Sequence, residues 1–182
     1  MKLIINKTKI ILITSILAFL LSGCVSNVKR TAEFPAQTYS LSKSQKVSNV
    51  ILSMTPEARS KAAKTPKFDP EHLRTQVERA LRTRSLISPR ISKEIPYLEI
   101  QVTKVRIRSS FTAIMFGFMA GTDSISGNVI VKSLDGKEID KFKVSVSYAL
   151  GGLGGGQDDA RVNWLYEAFA KKATNELTKS KR

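Results

Sequence analysis

The sequence predicts an α+β domain in which a small antiparallel sheet carries helices on one face, in the order β-α-β-β-β-α. Three features predict it. Asp135-Gly136 joins two alternating apolar runs, Ser124 to Leu134 and Glu138 to Leu150, as a β-hairpin. Asp69-Pro70 opens a stretch with helical apolar spacing. A last stretch repeats that spacing through Val162, Leu165, Tyr166, Phe169, Ala173 and Leu177.

In chain order, Lys46 to Met54 (KVSNVILSM) is short and rich in β-branched residues, and reads as the first strand. Residues 55 to 67 contain Pro56, Pro66 and many Ala, Ser and Lys, so they read as a connector with room for a helical turn at Pro56 to Ala63. Asp69 then caps a helix from about 70 to 85, with Pro70 at its first position and Phe68 placed to staple onto Leu73. Its buried stripe is Leu73, Val77, Ala80 and Leu81. Tyr97 to Arg108 (YLEIQVTKVRIR) alternates as a strand, but the apolar phase moves from Leu98, Ile100 and Val102 to Val105 and Ile107. A bulge near Thr103 absorbs that slip. In the hairpin a two-residue loop sets Val129 opposite Phe142, Gly127 opposite Val144 and Ile125 opposite Val146, which gathers the apolar side chains on one face. The last helix starts at Asp158 or Asp159.

The N-terminal residues have the layout of an export signal. Lys2, Lys7 and Lys9 precede an apolar run from Ile10 to Leu21, broken only by Thr14 and Ser15, and no acidic residue occurs before Glu33. The run is shorter than the roughly 20 residues a spanning helix needs. Leu21-Ser22-Gly23-Cys24 resembles the lipobox of bacterial lipoproteins, and Cys24 is the only cysteine. The resemblance implies cleavage before Cys24 and acylation of its sulfur and amine. Several acyl chains on one residue give lasting membrane attachment. Val25 stands where aspartate marks inner-membrane retention in such lipoproteins, so the resemblance implies the outer membrane. The expected organisation is a signal peptide at 1–23, a lipidated N-terminus and flexible tether at 24–46, and one α+β domain at 47–182. Such a tether reaches on the order of 25 Å by random-coil scaling.

The chain carries 30 Lys and Arg against 15 Asp and Glu, a formal charge of +15. Strong positive charge attracts polyanions. Export removes nucleic acid from the available partners and leaves lipid phosphates, cell-wall carboxylates and acidic proteins. Arg74, Arg79, Arg82, Lys104, Arg106 and Arg108 are the candidate polyanion-binding residues, the last three alternating on one strand face. The competing explanation is a solvated surface kept soluble by charge.

Chemistry is scarce. Gly151-Gly152-Leu153-Gly154-Gly155-Gly156-Gln157 precedes a helix, but no frame gives G-x-G-x-x-G and no Gly-Lys-Ser/Thr follows. Asp158 and Asp159 also place negative charge where an anion would sit. The cluster reads as a connector. His72 is the only histidine, too little for a zinc site or a Ser-His pair. The expectation is therefore no enzyme, metal or cofactor. The segment Phe111 to Gly121 (FTAIMFGFMAG) is apolar and uncharged between two strands. It reads as core, or as a partner-docking loop using Phe111, Met115, Phe116, Phe118 and Met119, or as a membrane contact.

From about Tyr97 to Leu177 the chain resembles a family of small bacterial lipoproteins whose domain is of unknown function. The likeness rests on YLEIQVTKVRIR, the apolar segment, SISGNVIVKSLDGKEIDKFKV, the glycine cluster and WLYEAFAKKATNEL, in that order. Such domains resemble the αβ modules of the curli-secretion lipoprotein and the amino-terminal domain of the Tol translocation protein. The resemblance implies a fold and an envelope location, with no active site. The leading expectation is a periplasm-facing, outer-membrane-anchored interaction or accessory module of an envelope assembly. The alternative is a basic module that contacts cell wall or lipid phosphates; a hydrolase would need a carboxylate pair brought together by folding.

Overall fold

The computed structural model describes residues 24–89, 94–109, 121–149 and 158–179. Its elements are β1 (Cys24–Arg30), β2 (Val50–Met54), α1 (Pro56–Ala63), α2 (Pro70–Thr83), β3 (Tyr97–Arg106), β4 (Asp123–Lys132), β5 (Glu138–Tyr148) and α3 (Asp158–Leu177). The strands form one sheet in the order β1-β5-β4-β3-β2. β2 runs parallel to β3, while the other neighbouring pairs are antiparallel. The α+β class holds, but the sheet is mixed and has a fifth strand. The parallel pair follows from connectivity: α1 and α2 carry the chain back to the starting edge before β3, as a crossover must.

Each helix forms where local chemistry favours it. Thr55 caps α1, accepting from Ala58 N, so the proline-rich connector is in fact a helix. Asp69 caps α2 by accepting from Glu71 N at 2.9 Å and His72 N at 3.1 Å, with Pro70 at the first position. α2 ends where Ser85 adopts φ 58°, and Leu86 N donates back to Leu81 O at 3.0 Å, a Schellman closure.

The sheet buries one face under α2 and α3. Leu98, Ile100, Ile125, Val129, Phe142 and Val144 are all fully buried there, packed with Leu73, Val77, Leu165 and Phe169. Gly127 permits the close approach of α3: a Cβ there would stand 3.4 Å from Phe169 Cζ and 2.9 Å from Gln101 O. The register slips between Val102 and Lys104, so Thr103 is the bulged residue and Val105 returns to the core face. In the hairpin, Val129 faces Phe142, Gly127 faces Val144 and Ile125 faces Val146. Its loop is one residue longer than the Asp-Gly pair alone implies. Ser133 N donates to Lys137 O at 3.0 Å around Leu134, Asp135 and Gly136, with Gly136 at φ 86°. That is a three-residue loop whose left-handed glycine is followed by a second register slip.

Residues 24–46 are the main correction. They are folded onto the domain and do not form a flexible tether. β1 pairs with β5 from Cys24 opposite Tyr148 to Arg30 opposite Phe142. Arg30 reaches Asp140 Oδ1 at 2.6 Å and Glu176 Oε1 at 3.1 Å, and its guanidinium lies 5.1 Å from the Phe142 ring centre. Tyr39 and Leu41 are buried, and Leu41 N donates to Leu177 O at 2.7 Å. The segment looks unstructured in sequence because its polar residues find their partners more than a hundred positions away.

Candidate functional site

Register defines the geometry at the Cys24 end of the sheet. On the face away from α2 and α3, cross-strand partners stand in rows. The first row is Ser147, Ser124 and Arg106, in register with Val25 of β1. The second is Asn27, Ser145, Ser126 and Lys104. The third is Lys29, Lys143, Asn128 and Gln101. None of these positions is acidic. Further from Cys24 the same face changes character: Lys132 pairs with Glu99 at 2.7 Å and Lys141 with Glu138 at 3.0 Å. Burial opposes ionisation of Glu99, yet hydrogen bonds from Lys132 and Ser53 hold its pKa below the ordinary value.

α1 lies beside β3 and closes a cleft of about 660 Å³ against this face. Its cationic walls are Lys61 from α1, Lys104 and Arg106 from β3, and Lys143 from β5, with Glu57 as the single acidic wall residue. Lys29, Lys61, Lys104 and Lys143 make no ion pair among the described residues. Lys29 and Lys143 face each other directly across β1 and β5, an arrangement of like charge that costs stability in the absence of an anion. The Arg106 guanidinium lies over Gly121, whose φ is +83° and where an added Cβ would stand 2.7 Å from Arg106 Nη2.

Behind the cleft a buried charge cluster joins three elements. Asp123, fully buried at the start of β4, accepts from Arg108 N at 2.7 Å, Arg108 Nη2 at 3.1 Å and Arg161 Nε at 3.0 Å. Arg108 Nη1 also donates to Gly121 O at 2.7 Å. One carboxylate therefore holds two buried guanidiniums and fastens the end of β3 to the first turns of α3.

The six basic candidates thus separate. Lys104 and Arg106 line the cleft. Arg108 does not join them, since β3 ends at Arg106 and the next residues turn inward to Asp123. Arg74 and Arg82 lie on the outer surface of α2, both bonded to Glu78, whose pKa these contacts lower, the Arg82 hydrogen bond most. Arg79 lines a smaller groove of about 280 Å³ between α2 and α3, with Arg84, Lys171 and Glu167. The sequence reading missed Lys29, Lys61 and Lys143. Alternation on β5 already placed Lys143 on the polar face, but nothing local brought it near Lys104.

Cys24 is the first residue of β1. Leu21, Ser22 and Gly23, and the candidate docking residues Phe111, Met115, Phe116, Phe118 and Met119, lie outside the described residues, as does the 151–157 glycine cluster. The described residues that flank that docking segment, Ser109 and Gly121, both lie at the Cys24 end of the sheet. His72 lies against Tyr166, ring centres 5.1 Å apart, with Gln76 Nε2 3.2 Å from its Nε2. No group of three His, Cys, Asp or Glu converges among the described residues, and no described helix is long and apolar enough to cross a membrane.

Fold and site together define a small α+β module: a mixed five-stranded sheet, α2 and α3 on one face, and a polar face whose cations gather at one end. PelC from Paraburkholderia phytofirmans has a similar fold. A point variant of it, a dodecamer, superposes with a TM-score of 0.53 and 13% identity over 86% of this chain and 100% of that one. A second PelC dodecamer structure, in another crystal form, gives a TM-score of 0.50 with the same identity and coverage. The chain belongs to the family described as Domain of unknown function (DUF4410), which matches residues 31–152. No curated protein sequence matches it.

Proposed function

We propose that this chain is a lipoprotein, anchored in the outer membrane through acylated Cys24 and facing the periplasm, that serves as a non-catalytic accessory module of an envelope assembly. The observation that carries the reading is the coincidence of two independent features at one residue. Cys24 ends the lipobox-like LSGC and is also paired into edge strand β1, opposite Tyr148. An anchor there joins the fold directly, so one end of the sheet is held at the bilayer and the other faces the compartment. The family resemblance to envelope lipoproteins supports the location. PelC supports the assembly, because that similarly folded protein is a dodecamer. The apolar segment bearing Phe111, Met115, Phe116, Phe118 and Met119 is the proposed docking element for the partner.

The test is made in intact cells. The native chain is fed a labelled fatty acid, crosslinked, and recovered beside Cys24→Ser and beside Phe116→Ser/Phe118→Ser. Label lost in Cys24→Ser, with a discrete crosslinked protein, either a second copy or another component, lost in the phenylalanine variant, supports the reading. Label retained without Cys24, or crosslinking indifferent to both variants, overturns it.

A further inference from the structure

We propose that the cleft between α1 and the open sheet face binds the phosphate of an anionic membrane lipid beside the protein's own anchor. The inference rests on the lipid-anchor reading for its orientation only. Its first support is the sorting of charge along the face. The strand positions of the three rows nearest Cys24 include Arg106, Lys104, Lys29 and Lys143 and no carboxylate, and the three lysines make no ion pair among the described residues, whereas Lys132 and Lys141 beyond them are each matched by a glutamate. A surface charged merely for solubility has no reason to sort in this way. Lys29 opposite Lys143 is a pair that a bound anion relieves.

Position selects the source of the phosphate. Arg106 stands in register with Val25, three strand spacings away, or about 14 Å. Lys104 is one row further from the anchor, about 7 Å along the strand. With acyl chains on Cys24, Arg106 is held at headgroup height and Lys104 and Lys61 just above it. Lipid headgroups are then the phosphates within reach. Arg74, Arg79 and Arg82, on α2 and its groove, lie across the sheet and take no part.

The test uses the chain from residue 24 onward with Cys24→Ser, which keeps the whole described core and separates the cleft from acylation. Binding is measured by cosedimentation with vesicles of phosphatidylcholine alone and of phosphatidylcholine with phosphatidylglycerol. The expected result is binding to the anionic vesicles only, falling steeply with salt. Lys104→Gln/Arg106→Gln weakens it about 20-fold, and Arg79→Gln/Arg82→Gln leaves it within about 2-fold. Gly121→Ala, which moves the Arg106 guanidinium without changing charge, also weakens it in protein shown by circular dichroism to be folded. Equal losses in the two double variants overturn the proposal in favour of diffuse attraction. Equal binding to both vesicles, or retention by cell-wall sacculi but not by vesicles, also overturns it. Since the probe protein carries no lipid, failure here leaves the acylation of Cys24 standing, and failure of acylation leaves a positive vesicle result standing.

Discussion

Asp123 shows how much one side chain holds in this fold. Two guanidiniums, each 2% exposed, pair with one fully buried carboxylate, and a backbone N–H donates to it as well. Removing one partner of a buried ionic cluster leaves charge without compensation, at a cost of about 3–5 kcal/mol. Asp123→Asn is therefore expected to lose most of its stability, measured by urea unfolding, while keeping nearly the same shape. Ser85 has the opposite sign. At φ 58° its side chain crowds the backbone, and glycine there removes strain of about 1 kcal/mol. Ser85→Gly is expected to raise the unfolding temperature by roughly 2–4 °C in calorimetry.

Among the elements, β1 carries the sharpest prediction. As a tether, residues 24–30 would be removable at no cost to the domain. As an edge strand they cover β5 and supply Arg30, the partner of fully buried Asp140. Arg30→Ala is expected to cost about 3 kcal/mol in denaturant unfolding, the lower part of the range for a buried pair because Arg30 itself is 16% exposed. An unchanged midpoint would return the segment to the status of a tether. The cap of α2 is a smaller contribution. Asp69→Ala leaves Glu71 N and His72 N without their acceptor and is expected to cost about 1 kcal/mol.

Over the whole molecule, pH acts from both ends. The Glu99 carboxyl is held below its ordinary value of 4.5, so the folded state takes up its proton later than the unfolded one does. Its stabilisation is present above that ordinary value and is lost as pH falls through the folded one. Tyr166 works in reverse. Burial pushes its phenol from 10.0 up to about 12, although the Asp69 N–H it accepts opposes this. Stability tied to Tyr166 is complete below pH 10 and is lost as pH rises toward 12. Glu99→Gln should flatten the acid limb of a stability–pH curve and Tyr166→Phe the alkaline limb, read by chemical unfolding across pH. A limb left unchanged by its substitution would show that another group governs it.

The local patterns were legible because each is settled within a few residues. Asp69-Pro70 caps a helix, the phase change at Thr103 requires a bulge, and Asp135-Gly136 sets a register that brings Val129 to Phe142, all of which the fold contains. The sequence by itself thus determined the α+β class and the core faces of β3 to β5. Tertiary structure decided the rest. β1 has no strong apolar period because an edge strand buries little, and its hold on the domain comes from Asp140 and Glu176. The basic residues looked equivalent along the chain, yet Arg108 is sequestered by Asp123, Arg74 and Arg82 are matched on α2, and Lys104 and Arg106 meet Lys61 and Lys143 in a cleft. Whether a cation is neutralised or joins a site depends on carboxylates and cations tens of residues away, because charge acts through space over distances that sequence separation does not record.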